Sequence, residues 1–273
     1  MSREREERMV QIRITSPCRS EFSREVYRPG VISLSRILWG SLGGGLLLLL
    51  IGLFSQACGV GVLYPPLAAT CFINATCVYL RVARPKSVIV GHFISTVGGL
   101  LAVWAGDALA RGTSWHVPLK LGLAVLLASA FMQILDADHP PAAATAAIPA
   151  ILPIPSSALV LPLHMAWGAV IAVVFGMLWN RIFFEFPAPE EEAPRSWLNL
   201  CMAKADIAGT GICLAGFILM CLKTLSEAAY LCGLGVMLLG VLMLSTHHFF
   251  GAVIVTGKNA ADITRIKFPA DKR

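Results

Sequence analysis

Long apolar runs broken by short polar links dominate the sequence. Eight hydrophobic segments stand out: Ile37–Cys58, Leu63–Leu80, Val88–Leu109, Leu119–Leu135, Pro140–Leu152, Val160–Phe184, Ile207–Leu222 and Ala229–Phe250. A bilayer core of roughly 30 Å takes about 20 apolar residues per helix, so these runs predict seven or eight passes. None alternates with period two over about ten residues, as an outer-membrane barrel strand would. The expected fold is therefore an all-α polytopic membrane protein. Gly43, Gly44 and Gly45 in the first run would let a neighbouring backbone come close.

Two of the eight segments are short and begin with proline. Tyr64-Pro65-Pro66-Leu67-Ala68-Ala69-Thr70 aligns with His139-Pro140-Pro141-Ala142-Ala143-Ala144-Thr145 at an offset of 75 residues, with five identities in seven. Each string follows one long apolar run and precedes another. Residues Pro85 to Gly99, with His92, have a looser echo in Pro162 to Gly168, with His164. This points to two three-segment repeats, 37–110 and 118–184, within a core of 37–184. Three passes per unit would invert the second repeat, an arrangement typical of transporters. Pro149, Pro153 and Pro155 leave a re-entrant 140–152 as the alternative, which would flip every later segment. An Arg/Glu-rich leader (1–36), a polar loop (185–206), an appended helical pair (207–250) and a basic tail (251–273) complete the chain.

Composition narrows the class further. Of 273 residues, 56% are hydrophobic and 14% are charged, against about 25% charged in soluble domains. Mean hydropathy is +0.72. The net charge of +6 is crowded at the ends: the first 36 residues hold eight Arg and five Glu. No contiguous basic-aromatic patch suggests nucleic acid. The clusters fit loops held on the cytoplasmic side, with Arg81, Arg84, Lys86, Arg181, Arg195 and Lys204 on the same side as the leader. The expected location is the plasma (bacterial inner) membrane with a cytoplasmic N-terminus. No apolar run begins before residue 37, which excludes a secretory signal, and the leader's glutamates argue against a transit peptide. The eight Cys contain no Cys-x-x-Cys pair and read as small packing residues.

The chemistry sits in the Pro-Pro strings. Proline is well placed in a first helical turn, where its missing N–H leaves no bond unmade. Ala68, Ala69, Ala142, Ala143 and Ala144 keep those helices thin. A helix start inside the membrane presents unpaired N–H groups and partial positive charge, which favours a small anion. Thr70 and Thr145, further along each string, would add hydroxyl donors. On this reading Pro65, Pro66, Ala68, Thr70, His92, His139, Pro140, Pro141, Ala143 and Thr145 form the substrate site. The competing reading is plain capping and helix packing, and spacing does not decide between them. Asp136, Asp138 and His139 are candidates for a proton relay. Their Asp-x-Asp-His string lacks a second ligand cluster to complete a metal site, and no cofactor is indicated. His247-His248 before Phe249-Phe250 reads as an interfacial belt, and Asn74 and Asn180 as interhelical glue.

The string Asp138-His139-Pro140-Pro141-Ala142-Ala143-Ala144-Thr145 resembles the signature of the HPP family of integral membrane proteins, named for that tripeptide. Pro65-Pro66-Leu67-Ala68-Ala69, the run from Ala83 to His92, and Trp179-Asn180-Arg181 support the resemblance, which covers about 35–183. It implies a compact membrane domain of four spans plus shorter hydrophobic pieces. It also implies transport, since plant chloroplast and cyanobacterial members are similar to nitrite transporters. The 207–250 pair departs from that pattern and would serve oligomer contacts or gating. The expected function is a transporter or channel for a small inorganic anion, nitrite first. The alternative is a non-transporting membrane scaffold or sensor. An enzyme is not expected, because no nucleophile–base pair or paired metal cluster is present.

Overall fold

The computed structural model describes residues 11–16, 31–77, 80–182 and 202–246, with the strand residues 255–256 and 264–265. Two short strands stand in the leader: β1 (Gln11–Arg13) pairs in parallel with β2 (Val31–Ser33). Most of the remaining leader, the acidic loop with Glu190–Glu192, and His247-His248 lie outside the described residues. Ser33 accepts the Arg36 backbone N–H at 3.3 Å and so caps α1 (Leu34–Cys58). Gly59 ends that helix with φ 64°, a left-handed conformation that glycine adopts without strain.

The chain continues through α2 (Tyr64–Thr76), α3 (Pro85–Ala110), α4 (His116–Ile134), α5 (Pro140–Ala147) and α6 (Leu161–Asn180). Then come α7 (Lys204–Cys221) and α8 (Glu227–Thr246), and a small antiparallel pair, β3 (Val255–Thr256) and β4 (Thr264–Arg265), in the tail. Among the described residues six helices are long and apolar enough to cross a membrane: α1, α3, α4, α6, α7 with the 3-10 turn after it, and α8. This is a multi-pass, all-α membrane protein.

Helices α2 and α5 are shorter than the runs that contain them. At 1.5 Å per residue, α2 with 13 residues and α5 with 8 reach about 20 Å and 12 Å, well under a bilayer core. Near the end of helix α2, Asn180 Nδ2 donates to the Asn74 carbonyl at 2.7 Å. Helix α5 passes into a 3-10 turn at Ile148–Ala150, because Pro149 has no N–H to continue the ladder.

Side-chain bonds between helix ends fix which ends share a face. Arg81 and Lys86, just before and at the start of α3, both pair with Asp136 after α4. Trp179 near the end of α6 stacks on Trp39 near the start of α1, with centroids 4.1 Å apart. At the opposite end, Leu63 before α2 donates its N–H to Met165 Sδ at 3.2 Å. Lys223, between α7 and α8, donates to the Gly59 carbonyl at 2.6 Å. The 140–160 segment therefore starts at the Arg81 end and delivers α6 to the Gly59 end. It traverses the bundle rather than turning back.

Helices α3 and α6 form the centre. Helix α6 is buried along most of its length, with Leu161, Met165, Trp167 and Val170 fully enclosed, and packs on α1, α2 and α3. Helix α3 carries α4, α5 and α6, and a Cβ at its Gly99 would collide with the backbone of Ala146. The appended pair is firmly docked: α7 packs on α8 through Gly216 and Gly233, whose added Cβ atoms would meet Met237 N at 2.6 Å and Met220 N at 2.7 Å.

Gly99→Leu is expected to lower thermal stability in detergent by about 1–3 kcal/mol, the usual range for overpacking. Gly45→Ala should leave it unchanged, since nothing lies within 4 Å of that position. A thermal melt of both variants checks the α3–α5 contact.

Candidate functional site

The two Pro-Pro strings present the same face to the protein. Pro65 and Pro140 are exposed, Pro66 and Pro141 buried, Ala68 and Ala143 half-buried, Ala69 and Ala144 exposed, Thr70 and Thr145 buried. Each string opens its helix with proline in the first turn, with extended residues Leu63 and His139 at the caps. The buried faces meet α3, and the meeting point is His92.

His92, His139, Thr70 and Thr145 are each fully buried and bonded into one chain. Thr145 Oγ1 lies 2.9 Å from His92 Nδ1. His92 Nε2 lies 2.7 Å from Thr70 Oγ1, and Thr70 Oγ1 lies 2.8 Å from His139 Nε2. His139 Nδ1 lies 2.7 Å from the carbonyl of Val82, and the Pro66 carbonyl is 3.1 Å from Thr70 Oγ1. The two imidazoles meet edge to face with centroids 5.2 Å apart. Gly91 permits this approach, since a Cβ there would sit 2.9 Å from the His139 Cβ.

Donor and acceptor chemistry orders the chain. A carbonyl only accepts, so His139 donates from Nδ1 to Val82, and Nε2 of the neutral ring accepts. Thr70 then gives its single proton to His139 and must accept from His92 Nε2–H. His92 Nδ1 is left to accept from the Thr145 hydroxyl. All four groups are satisfied in this pattern, as burial in an apolar surrounding requires. These four side chains thus bond one another between α2, α3 and α5.

The other expected site residues lie outside this chain. Asp136, in a left-handed conformation with φ 53°, is tied up with Arg81 and Lys86. Asp138 is exposed. Among the described residues, no hydrogen bond or ion pair joins either carboxylate to His139. His164 does not echo His92. It lies toward the Gly59 end, 3.0 Å from the Gly61 carbonyl and 2.7 Å from the hydroxyl of Tyr230 on α8. Lys223 stands 5.0 Å over that phenol ring. Asn74 donates to the Ala172 carbonyl at 3.1 Å and Asn180 to Asn74. Both span helices. Among the described residues no group of three His, Cys, Asp or Glu side chains is placed to hold a metal ion.

Sequence reasoning missed three features. The Val82 carbonyl is invisible in a side-chain pattern. Ser95, one turn beyond His92, is fully buried with no hydrogen-bond partner for its hydroxyl; its i+3 spacing from His92 was the available signal. A further polar cluster lies at the far end of α3, where Asp107 meets His116 at 2.6 Å, Lys120 at 3.3 Å and Arg111 at 3.7 Å. A surface hollow of about 340 Å³ there is lined by Trp104, Asp107, Ala108 and Arg111.

Residues 29–188 match the family described as HPP, transmembrane region. The match covers more than half of the chain. The chain belongs to the HPP family. No curated protein and no solved structure matches it. The HPP region contains the whole Thr–His chain, its Val82 and Pro66 carbonyls and both Pro-Pro starts, whereas α7 and α8 lie beyond its end.

Thr70→Val is expected to destabilise the protein by about 1–3 kcal/mol, because it strands the polar atoms bonded to that hydroxyl in a buried site. Thr70→Ser should recover most of the loss. Asp136→Asn, at a half-exposed ion pair, should change stability by less than about 1 kcal/mol. Melting temperatures in one detergent rank the three.

Proposed function

We propose that this HPP-family protein transports a small inorganic anion, with nitrite the best single substrate, between the two Pro-Pro helix starts. The observation that carries the reading is the buried Thr70–His92–Thr145 bridge, in which both Pro-Pro helices bond one imidazole from its two nitrogens. A purely apolar contact would hold two helices together at less risk, since each buried polar group must be matched. Ionisable groups inside a membrane protein are candidates for the transport path. The two strings also bury the same positions at an offset of 75 residues, which favours duplication, and their short helices suit a broken-helix transport site. Opening of the site would part α2 and α5, each too short to span alone.

The leader is assigned to the cytoplasm. Arg36, Arg81, Arg84, Lys86, Arg181 and Lys204 gather at the leader's end of the bundle, against Arg111, Lys120 and Lys223 at the other, an asymmetry that favours that orientation. The same argument suits a plasma membrane.

Reconstituted protein in liposomes is expected to admit nitrite down a gradient faster than protein-free vesicles do. Thr145→Val should slow that uptake about tenfold or more, equivalent to at least about 1.4 kcal/mol. Nitrite, nitrate, formate and chloride all failing to move would overturn the reading and leave a scaffold or sensor.

A further inference from the structure

The Thr70 hydroxyl has one proton and three close partners, and that surplus has a consequence for the transported species. In the neutral chain the proton goes to His139 Nε2, 2.8 Å away, and the Pro66 carbonyl at 3.1 Å is the unused acceptor. If His139 gains a proton at Nε2, its lone pair becomes an N–H bond and the ring becomes an imidazolium. The Thr70 hydroxyl then turns to Pro66 and accepts from both imidazoles. His92 and Thr145 keep their bonds, and no heavy atom moves. The junction is satisfied in both protonation states of His139, which an ordinary structural histidine does not need.

We infer that transport at this site is electroneutral, with the anion and one proton carried together and the proton held on His139. The inference rests on the anion-transport reading above. It follows from charge balance in a buried site. An imidazolium enclosed with no facing anion is strongly disfavoured, and so is an enclosed anion with no facing cation.

Among the described residues, the hydrogen bonds of His139 go to Thr70 and the Val82 carbonyl, with no carboxylate among them. Helix α2 offers Tyr64 and Cys71 and α5 offers none. Helix α3 offers Lys86, His92 and Asp107, the last at the far end with His116 and Lys120 of α4. The turn and links offer Arg81, Arg84, Asp136 and Asp138, and Asp136 is engaged by Arg81 and Lys86. His164 of α6 bonds Tyr230. An incoming monovalent anion and a proton on His139 cancel each other, so each needs the other.

Ser95 fits as a ligand donor. Gly91, Ser95 and Gly99 fall at four-residue intervals on α3, and their flanking members pack on His139 and on Ala146 of α5. The unpartnered Ser95 hydroxyl therefore stands on the face of α3 turned to the Pro-Pro helix, one turn from His92.

The test uses full-length protein in liposomes holding a pH-sensitive dye, with potassium and valinomycin setting the membrane potential. Nitrite uptake and internal acidification are read together, and protein-free vesicles are subtracted. The expected result is one proton per nitrite, uptake indifferent to potentials of either sign, and acceleration by an inward proton gradient. Nitrite entry driven by a positive-inside potential without acidification would overturn the coupling while leaving anion transport standing. No anion movement at all would overturn both. His139→Gln keeps an acceptor but holds no proton, and should lose the acceleration by the proton gradient. Ser95→Ala should raise the nitrite concentration for half-maximal uptake several-fold and leave the proton ratio at one. A variant that does not fold leaves the wild-type ratio as the deciding measurement.

Discussion

One hydroxyl group holds the centre of this protein together. Thr70 Oγ1 contacts two imidazoles and a backbone carbonyl in a place fully shielded from water. Each of those groups would be costly to bury alone, so the helices that carry them are constrained jointly. The bond to His92 links α2 to α3. The bond to His139 places the cap of α5 beside α2. The His139 bond to Val82 ties both to the turn before α3. Shifting any one of these by an ångström strands a polar atom elsewhere in the chain.

The apolar packing is arranged so that this junction can exist. Gly91 lets His139 lie against α3, and Gly99 lets Ala146 do the same two turns later. Alanines on α5 keep that helix close. Beyond the junction the bundle becomes conventional: α6 is buried along its length against α1, α2 and α3. Helices α7 and α8 join through small residues on their mutual face. They are tied to the core near the link before α2 by the His164–Tyr230 and Lys223–Gly59 bonds. That link leads directly into Tyr64 and Pro65, so the appended pair is bonded beside the start of one of the two Pro-Pro helices.

The spanning helices were legible because bilayer thickness imposes length and apolarity on each helix separately. The run from Val88 to Leu109 became α3 with three residues added at the start and one at the end. Most of the junction's side chains were legible too, since Thr70, Thr145, His92 and His139 are marked by the repeated strings and by rarity in apolar surroundings. What the pattern did not contain was the pairing. Asp136 and Asp138 adjoin His139 in sequence, yet the turn at Asp136 sends its carboxylate to Arg81 and Lys86. His164 aligned with His92 by position in the similar segments, but it faces Tyr230 on a helix outside them. Sequence proximity and repeat register do not specify such partners, because a third element supplies them. The bond from the Asn180 amide to the Asn74 carbonyl near the end of α2 was equally hidden, because the two residues lie 106 positions apart.

The hydrogen bonds of the junction bear on how the helix starts would meet an anion under the proposed function. Partial charge at a helix terminus favours an anion only when something faces it, and here the threonines one turn or more along already spend their hydroxyls on imidazole. On the proposed reading, an anion entering between α2 and α5 would either displace a histidine bond or arrive with a proton on His139, whose positive charge would face it. The second route leaves every existing bond satisfied, because the Pro66 carbonyl waits 3.1 Å from the same hydroxyl. Proline supplies that carbonyl at the one place where its missing N–H disturbs nothing, in the first turn of α2. The Pro-Pro start and the histidine junction are thus joined in one place: one opens the short helix, and the other supplies a polar contact with a second acceptor within reach.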